Sequence, residues 1–130
     1  MKIYIASSWK NQHAVEMLTA LLRERGHEVK SWVEQNYGEG YGAQKPMNFE
    51  AWVNTESAQK SFDFDTTGAM ECDTLIYVGP AGKDAAAECG MAYAKGVRML
   101  ALYAKGEDFG LMRKMFSKWY EHYLDLIVDL

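Results

Sequence analysis

The sequence predicts an α/β fold, with a mostly parallel sheet of four to five strands covered by helices on both faces. Short apolar runs alternate with segments of helical periodicity, a pattern typical of strand–helix–strand units. The chain has 130 residues, enough for one domain and too few to require a second. No internal repeat or low-complexity tract interrupts the pattern. We therefore expect a single three-layer domain spanning residues 1–130.

The N-terminal part is predicted to form two strands separated by a helix. Residues 1–6 form the first strand, and residues 7–11 form a short polar loop. Gly26 ends the helix that follows, and residues 28–33 form the second strand. Residues 34–46 are rich in glycine and tyrosine, so we expect a functional loop. The apolar residues of the helix recur three and four positions apart, as on one buried face: Ala14, Met17, Leu18, Leu21 and Leu22.

That glycine-rich loop carries a prediction of its own. Irregular segments of this length are uncommon in a compact domain unless they serve a site. We expect residues 37–42 to be mobile and to form one wall of a binding pocket.

The middle of the chain is predicted to be mainly helical. Residues 47–61 form one helix, and a second helical piece runs from about residue 62 to residue 71. Residues 74–78 are continuously apolar apart from one threonine, which predicts a buried third strand. The first of the two helices has an apolar stripe: Phe49, Trp52 and Val53.

The C-terminal part continues the alternation. Residues 79–83 form a glycine-bearing loop, residues 85–94 a helix and residues 99–103 the fourth strand. Residues 109–117 form a short helix. The tail, residues 120–130, is compatible with a helix or a final edge strand, and we favour a helix leading into a strand. The whole pattern is typical of a Rossmann-like, flavodoxin-like domain.

One carboxylate in the helix after the third strand requires an explanation. Glu88 lies among alanines, and burying a carboxylate is costly unless it is paired or its pKa rises. It also follows the carboxyl end of a strand, where parallel sheets bind ligands. Tyr4 and Asp65 lie beside predicted strand ends as well. Each alone is compatible with an ordinary role, as a core aromatic, a helix-surface residue or an N-terminal helix residue. We predict that the three meet in one pocket, with the Tyr4 hydroxyl within hydrogen-bonding reach of Glu88.

Composition excludes several classes of partner. The formal charge is −4 and the lysines and arginines are scattered, which argues against a nucleic-acid polymer. No apolar stretch approaches the roughly 20 residues of a membrane span. The first residues have the pattern of a strand instead of a signal peptide. We expect a cytoplasmic protein that binds no membrane.

The cysteines and histidines do not predict a metal site. Cys72 and Cys89 form no CxxC pair, so we expect buried, reduced thiols. The three histidines are scattered along the chain without the spacing of metal ligands.

Several segments together resemble a known family. Residues 2–9 (KIYIASSW) precede a helix, Asp65 lies eight residues before the Asp73 that opens the third strand, and residues 88–92 read ECGMA. This combination resembles the nucleoside 2-deoxyribosyltransferase family, which includes related nucleotide N-glycosidases. The resemblance covers nearly the whole chain. Its most specific part is the glutamate-bearing helix followed by Gly96.

The resemblance implies a mechanism and a set of site residues. Glu88 would be the nucleophile that attacks the anomeric carbon of a nucleoside or nucleotide, and Tyr4 would orient its carboxylate. Asp65 would give or relay a proton to the departing base. This is the logic of retaining glycoside cleavage, and it requires no cofactor and no metal. The resemblance also implies a small-molecule nucleoside or nucleotide partner and a homodimer or higher homo-oligomer. The substrate-binding residues would be Ser7, Ser8, Trp9, Gly79, Gly82 and Asp84.

The loop before Glu88 departs from the family pattern. A polar residue usually stands six positions before the nucleophile, whereas this chain has Gly82 there and Asp84 two positions later. Asp84 has two interpretations, as a ligand of a sugar hydroxyl or as the N-cap of a helix beginning at Ala85. The carboxylate of Asp84 would repel a 5′-phosphate, so it favours a nucleoside as the ligand. The adjacent Lys83 would attract a 5′-phosphate, so it favours a nucleotide.

Three hypotheses about function therefore stay open. The first is an enzyme of N-glycosidic bonds, either a transferase or a hydrolase. The second is a non-catalytic nucleoside- or nucleotide-binding module of the same fold, which the altered loop favours. The third is a structural or partner-binding domain, suggested by Trp119, Tyr120 and Tyr123 in the tail. The same aromatic residues are equally compatible with a dimer interface.

Overall fold

The computed structural model describes residues 1–36, 48–108 and 110–130, and it shows a five-stranded parallel sheet flanked by helices. The strand order is β2-β1-β3-β4-β5, the order of flavodoxin-like domains. The strands are β1 (Lys2–Ala6), β2 (Glu28–Lys30), β3 (Thr74–Val78), β4 (Arg98–Leu102) and β5 (Lys118–Tyr120). The helices are α1 (Gln12–Glu24), α2 (Trp32–Asn36), α3 (Phe49–Val53), α4 (Glu56–Glu71), α5 (Lys83–Ala94) and α6 (Tyr123–Val128). Short 3₁₀ turns cover Trp9–Asn11 and Leu111–Met115.

The sheet brings the ends of its two central strands to one edge. Ile3 pairs with Thr74 and Ala6 with Tyr77, so β1 and β3 run side by side and end together. Their connections lead in opposite directions, which creates the topological switch point at which ligands bind in open α/β sheets. Right-handed crossovers place α1 on one face and α4 and α5 on the other. Helices α4 and α5 pack directly on each other, so their side chains can share a site above this edge.

The second strand is shorter than predicted. It ends at Lys30, and Trp32 and Val33 belong to α2 instead. The Trp32 indole is buried and its Nε1 donates to the Ile5 carbonyl oxygen at 2.6 Å. The Ser31 hydroxyl oxygen accepts a hydrogen bond from the Glu34 backbone N–H, which favours a helical start. A long-range contact thus overrides the strand propensity of these residues.

Two other boundaries differ from the prediction. The helix predicted over residues 47–61 is split, because the Thr55 hydroxyl caps α4 by accepting from the Ala58 N–H at 3.1 Å. In the tail, the edge strand β5 comes first and α6 follows, so the favoured order of helix into strand is wrong. The segment predicted to be mobile, residues 37–42, lies outside the described residues.

Two further expectations concern the thiols and the membrane. Both cysteines are free, and Cys89 is buried as expected, but Cys72 is only half-buried. No helix in the described ranges is both long and apolar enough to cross a bilayer.

Gly68 allows α4 to approach the ring of Tyr4. A Cβ at Gly68 would lie 2.6 Å from Tyr4 Cδ2 and 2.7 Å from Cε2, and this ring is fully buried. We therefore expect Gly68→Ala to destabilise the protein by about 1–3 kcal/mol, because the core must shift to admit a methyl group. Urea unfolding followed by circular dichroism measures this change.

Gly90 provides the matched control on α5. It is exposed, and a Cβ there would meet no described atom within 4 Å. Gly90→Ala should therefore stabilise the helix by about 0.5–1 kcal/mol. Equal effects of the two substitutions would contradict the packing described for Gly68.

Candidate active site

The structure brings Tyr4 and Glu88 together at the switch point. Tyr4 lies in β1 and Glu88 in the second turn of α5. The Tyr4 hydroxyl donates to the Glu88 carboxylate and lies 3.2 Å from both Oε1 and Oε2. Tyr4 is fully buried and Glu88 is only 7% exposed. The hydrogen bond expected from the sequence is present, and it fixes the orientation of a buried carboxylate.

Asp65 approaches the same point from α4. Its Oδ1 accepts a hydrogen bond from the Asn36 side-chain amide at 3.3 Å, at the end of α2. Asn36 is 5% exposed, and its own Oδ1 has no partner among the described residues. Sequence reasoning missed Asn36, because nothing local to the end of the second strand indicates a contact with a residue 29 positions away.

Two cavities adjoin these carboxyl groups, and both are lined by Asp65, Asp84 and Glu88. The first, here called the aromatic cavity, has a volume of about 410 Å³. The second, the polar cavity, has a volume of about 370 Å³. The other side chains that characterise the aromatic cavity are Phe49, Trp52, Ser61, Phe62 and Met91. Those that characterise the polar cavity are Ser7, Ser8, Trp9, Trp32, Asn36 and Lys83.

The loop after β1 forms one wall of the polar cavity. The Ser7 hydroxyl donates to the Val78 carbonyl oxygen at 2.7 Å, and the Ser8 hydroxyl accepts from the Lys10 N–H. The Trp9 ring meets the Trp32 ring edge to face, with the ring centroids 5.0 Å apart. These contacts hold the three predicted residues in place, and the two hydroxyls keep free lone pairs for a ligand.

Asn11 links that wall to the loop after β3. Its side-chain amide donates to the Ser7 hydroxyl at 3.1 Å and to the Pro80 carbonyl oxygen at 2.8 Å. The sequence analysis placed Asn11 in a polar loop but assigned it no role. The asparagine ties together the two loops that border the switch point.

The position at which α5 begins contradicts one of the two interpretations of Asp84, that it is the N-cap of the helix. The N-cap is Gly82 and the helix begins at Lys83, so Asp84 is a residue of the first turn and does not cap the helix. The N-cap interpretation is therefore wrong. Asp84 is exposed and lines both cavities, so its side chain is accessible to a ligand.

Gly79 is not among the residues that line the two cavities. A Cβ at this position would overlap the carboxylate oxygens of Glu107. Glu107 Oε2 accepts from the Tyr77 hydroxyl at 2.8 Å, and that hydroxyl accepts from the Ala81 N–H at 3.0 Å. Gly79 thus makes room for a carboxylate that braces the loop leading to α5. No local pattern in the sequence indicates this role of Glu107, which lies 30 residues from Tyr77.

The ionisable groups of the site affect one another. Burial, together with the charges of Asp65 and Asp84, raises the pKa of Glu88 to about 8, although the Tyr4 hydrogen bond opposes the shift. Burial and the charge of Asp84 raise the pKa of Asp65 to about 6, although its hydrogen bond with Asn36 opposes the shift. Burial and the Glu88 carboxylate raise the pKa of Tyr4, so its phenol stays a hydrogen-bond donor. Near neutral pH the two carboxyl groups therefore hold about one proton between them.

The raised pKa of Glu88 predicts how stability depends on pH. The folded protein binds this proton more tightly than the unfolded chain does. The free energy of unfolding should therefore fall as pH rises from about 4.5, the ordinary value, through about 8. Glu88→Gln keeps an acceptor for Tyr4 and removes this titration. At pH 8 the variant should be more stable than wild type by a few kcal/mol, since one pKa unit corresponds to about 1.4 kcal/mol.

Urea unfolding of both proteins at pH 5, 6.5 and 8 measures this difference. The two stabilities should be similar at pH 5 and diverge as pH rises. Glu71→Gln, on the exposed surface of α4, is the matched control and should follow wild type. A Glu88→Gln variant with the wild-type pH dependence would contradict a buried, destabilised carboxylate.

The described residues contain no group of three or more His, Cys, Asp or Glu side chains arranged to hold a metal ion. What they do provide is one buried carboxylate oriented by a phenol, a second carboxyl group within electrostatic reach, and two cavities that both groups line. Such a pair can supply a nucleophile and an acid to a substrate bound across both cavities.

Comparison with known proteins shows that this fold is shared. No protein-family model matches the sequence, and no curated protein matches it. Among solved structures, a 2-deoxyribosyltransferase from Bacillus psychrosaccharolyticus is similar, with a TM-score of 0.70 and 23% identity over 97% of this chain and 90% of that one. A CMP N-glycosidase from Clostridium botulinum is also similar, with a TM-score of 0.65 and 20% identity over 100% of both chains. At these identities the likeness establishes the fold.

Proposed function

We propose that this protein cleaves or transfers a glycosyl group at the N-glycosidic bond of a nucleoside or nucleotide, with Glu88 as the nucleophile. The observation that carries the proposal is the position of Glu88. Its buried carboxylate accepts a hydrogen bond from the Tyr4 hydroxyl, and Glu88 lines both cavities. The two structural neighbours are a 2-deoxyribosyltransferase and a CMP N-glycosidase, and both of these names refer to N-glycosidic chemistry.

In the first step, a Glu88 carboxylate oxygen bonds to the anomeric carbon while the bond from that carbon to the base nitrogen breaks. The bonding electrons leave with the base, and Asp65 supplies a proton when the base requires one. Tyr4 donates to the carboxylate throughout and keeps its proton, because its pKa is raised. The developing oxocarbenium charge lies beside an anion, which stabilises the transition state.

In the second step, water or the nitrogen of a second base attacks the glycosyl ester and releases Glu88 as a carboxylate. Attack by water gives hydrolysis and leaves a proton to be taken up by Asp65. Attack by a base gives transfer. The aromatic cavity suits a planar base, since its lining side chains offer stacking faces, and the polar cavity suits the sugar hydroxyls.

A second function is favoured by one observation. Since burial raises the pKa of Glu88 to about 8, the free protein at neutral pH holds a proton that makes Glu88 a hydrogen-bond donor. A donor of this kind can bind a ribose hydroxyl without turnover, as in a binding or sensing module. The homo-oligomer implied by the family resemblance is a separate prediction, which light scattering coupled to gel filtration tests.

One experiment separates the two functions. The protein is incubated with a panel of nucleosides and their 5′-monophosphates, and free base is measured by chromatography. The proposal predicts release of base from at least one member, in proportion to enzyme and time. If no compound of the panel releases free base but calorimetry shows that at least one of them binds, the protein is a binding or sensing module and not an enzyme.

A further inference from the structure

The lining of the aromatic cavity combines acidic side chains with aromatic rings. Asp65, Asp84 and Glu88 line it, and among its described lining residues there is no lysine, arginine or histidine. The proposed reaction uses Glu88 and Asp65, but it leaves Asp84 without a chemical role. The cavity therefore carries more negative charge than the chemistry requires.

Three aromatic rings also line this cavity. Phe49 and Trp52 lie with their ring centroids 6.1 Å apart and their planes 40° apart. Phe62, from α4, adds a third ring, and all three contribute to the lining. Phe49 and Trp52 belong to the apolar stripe predicted from the sequence, and in the structure they line the cavity. Aromatic faces beside carboxylates are the arrangement that binds organic cations.

One residue of the aromatic cavity carries a buried hydroxyl without a hydrogen-bond partner. Ser61 lines it and is 9% exposed, and its hydroxyl has no hydrogen-bond partner among the described residues. A buried hydroxyl without a partner costs free energy unless a ligand or water satisfies it. Asn36 lines the polar cavity, and its Oδ1 likewise has no hydrogen-bond partner among the described residues.

We propose that the aromatic cavity takes a nitrogen heterocycle with a fixed positive charge, so that the substrate is a cationic N-glycoside such as an N-glycosyl pyridinium or an N-alkylated purine nucleoside. This inference rests on the proposed function and narrows its substrate class. Lys83 does not oppose it, because this residue lines the polar cavity and is not among the lining of the aromatic one.

The chemistry of a cationic base fits the two carboxyl groups. When Glu88 attacks the anomeric carbon, the electrons of the broken bond neutralise the ring nitrogen, and the base leaves uncharged without receiving a proton. Hydrolysis of the ester by water then yields the free sugar and one proton. In the free protein the pKa of Glu88 is higher than that of Asp65. Asp65 therefore loses its proton first, whereas cleavage of a neutral nucleoside needs an ionised Glu88 and a protonated Asp65. A bound cation favours ionisation of both groups, and its departure requires no acid.

The experiment compares two ring compounds that differ only in a methyl group and a charge. 1-Methylnicotinamide, which is methylated on the ring nitrogen and is therefore a permanent cation, and neutral nicotinamide are each titrated into the protein by calorimetry at neutral pH. We expect the cation to bind at least tenfold more tightly, with an affinity that falls as salt increases. Because neither compound is cleaved, leaving-group ability does not influence the result.

Two variants refine this test. Asp84→Asn should reduce the preference for the cation several-fold, whereas Asp63→Asn, at an exposed position of α4 that is not among the lining residues of either cavity, should not change it. Equal or tighter binding of nicotinamide by wild type would overturn the inference, as would an unchanged preference in Asp84→Asn.

Turnover is measured separately with 7-methylguanosine and guanosine. Preferred binding of the cation without cleavage of any nucleoside would refute the proposed enzyme but support the cation site. Cleavage of guanosine without preference for the cationic ring would support the enzyme and overturn this inference.

Discussion

Glu88→Ala is expected to abolish release of free base from every nucleoside or nucleotide that the wild type cleaves. The carboxylate forms the bond to the anomeric carbon in the proposed mechanism, and no other described carboxyl group receives the Tyr4 hydrogen bond. Loss of a nucleophile costs on the order of 10⁴–10⁶-fold in kcat. Chromatography of the released base, followed over time at saturating substrate, measures this loss.

The fold should survive this substitution. A buried carboxylate with a raised pKa is strained in the folded state, so the melting temperature of Glu88→Ala should stay unchanged or rise near neutral pH. Glu71→Gln, an exposed substitution on α4, should retain full activity. Wild-type rates in Glu88→Ala on any substrate would eliminate the covalent mechanism.

Asp65→Asn is expected to slow cleavage of neutral nucleosides by about 10²–10⁴-fold, the usual contribution of a general acid. Asparagine keeps the size of the side chain but cannot give a proton to the departing base. With a cationic nucleoside the base leaves without a proton, so the same substitution should have a much smaller effect. The measurement is kcat for guanosine and for 7-methylguanosine in wild type and variant.

The matched control for Asp65→Asn is Asp63→Asn, two residues earlier on α4 and exposed. This substitution should leave both rates at the wild-type level. If Asp65→Asn cleaves neutral nucleosides at the wild-type rate, Asp65 is not the general acid of the reaction. Equal losses on both substrates would assign Asp65 to substrate positioning.

The order of the main strands and helices follows from local sequence, since each element carries its own periodicity. The site was predictable for a different reason. Glu88 has no structural purpose in an alanine-rich helix, and the carboxyl edge of a parallel sheet is where such a residue meets a ligand. The sequence therefore predicts that Glu88 and Tyr4 meet at this edge, and the structure shows the hydrogen bond between them.

What the sequence did not reveal depends on contacts between distant residues. Trp32 and Val33 have strand propensity, yet a hydrogen bond from the Trp32 indole to β1 holds them in a helix. Glu107 braces the loop after β3 across 30 residues, and no local pattern marks it. Asp84 was assigned a possible capping role because a helix start is uncertain by a residue or two from sequence alone. These features become visible only when the chain is folded.

The central claim, that Glu88 forms a covalent glycosyl ester, is tested most directly by trapping that ester. The reagent is the 2′-deoxy-2′-fluoro analogue of whichever nucleoside releases base fastest, because fluorine at C2′ slows hydrolysis of the intermediate. After mixing, intact-protein mass spectrometry and peptide mapping locate any adduct. The account predicts one fluoroglycosyl group on Glu88 and none in Glu88→Ala. Release of base by wild type without an adduct, or an adduct on another residue, would contradict it.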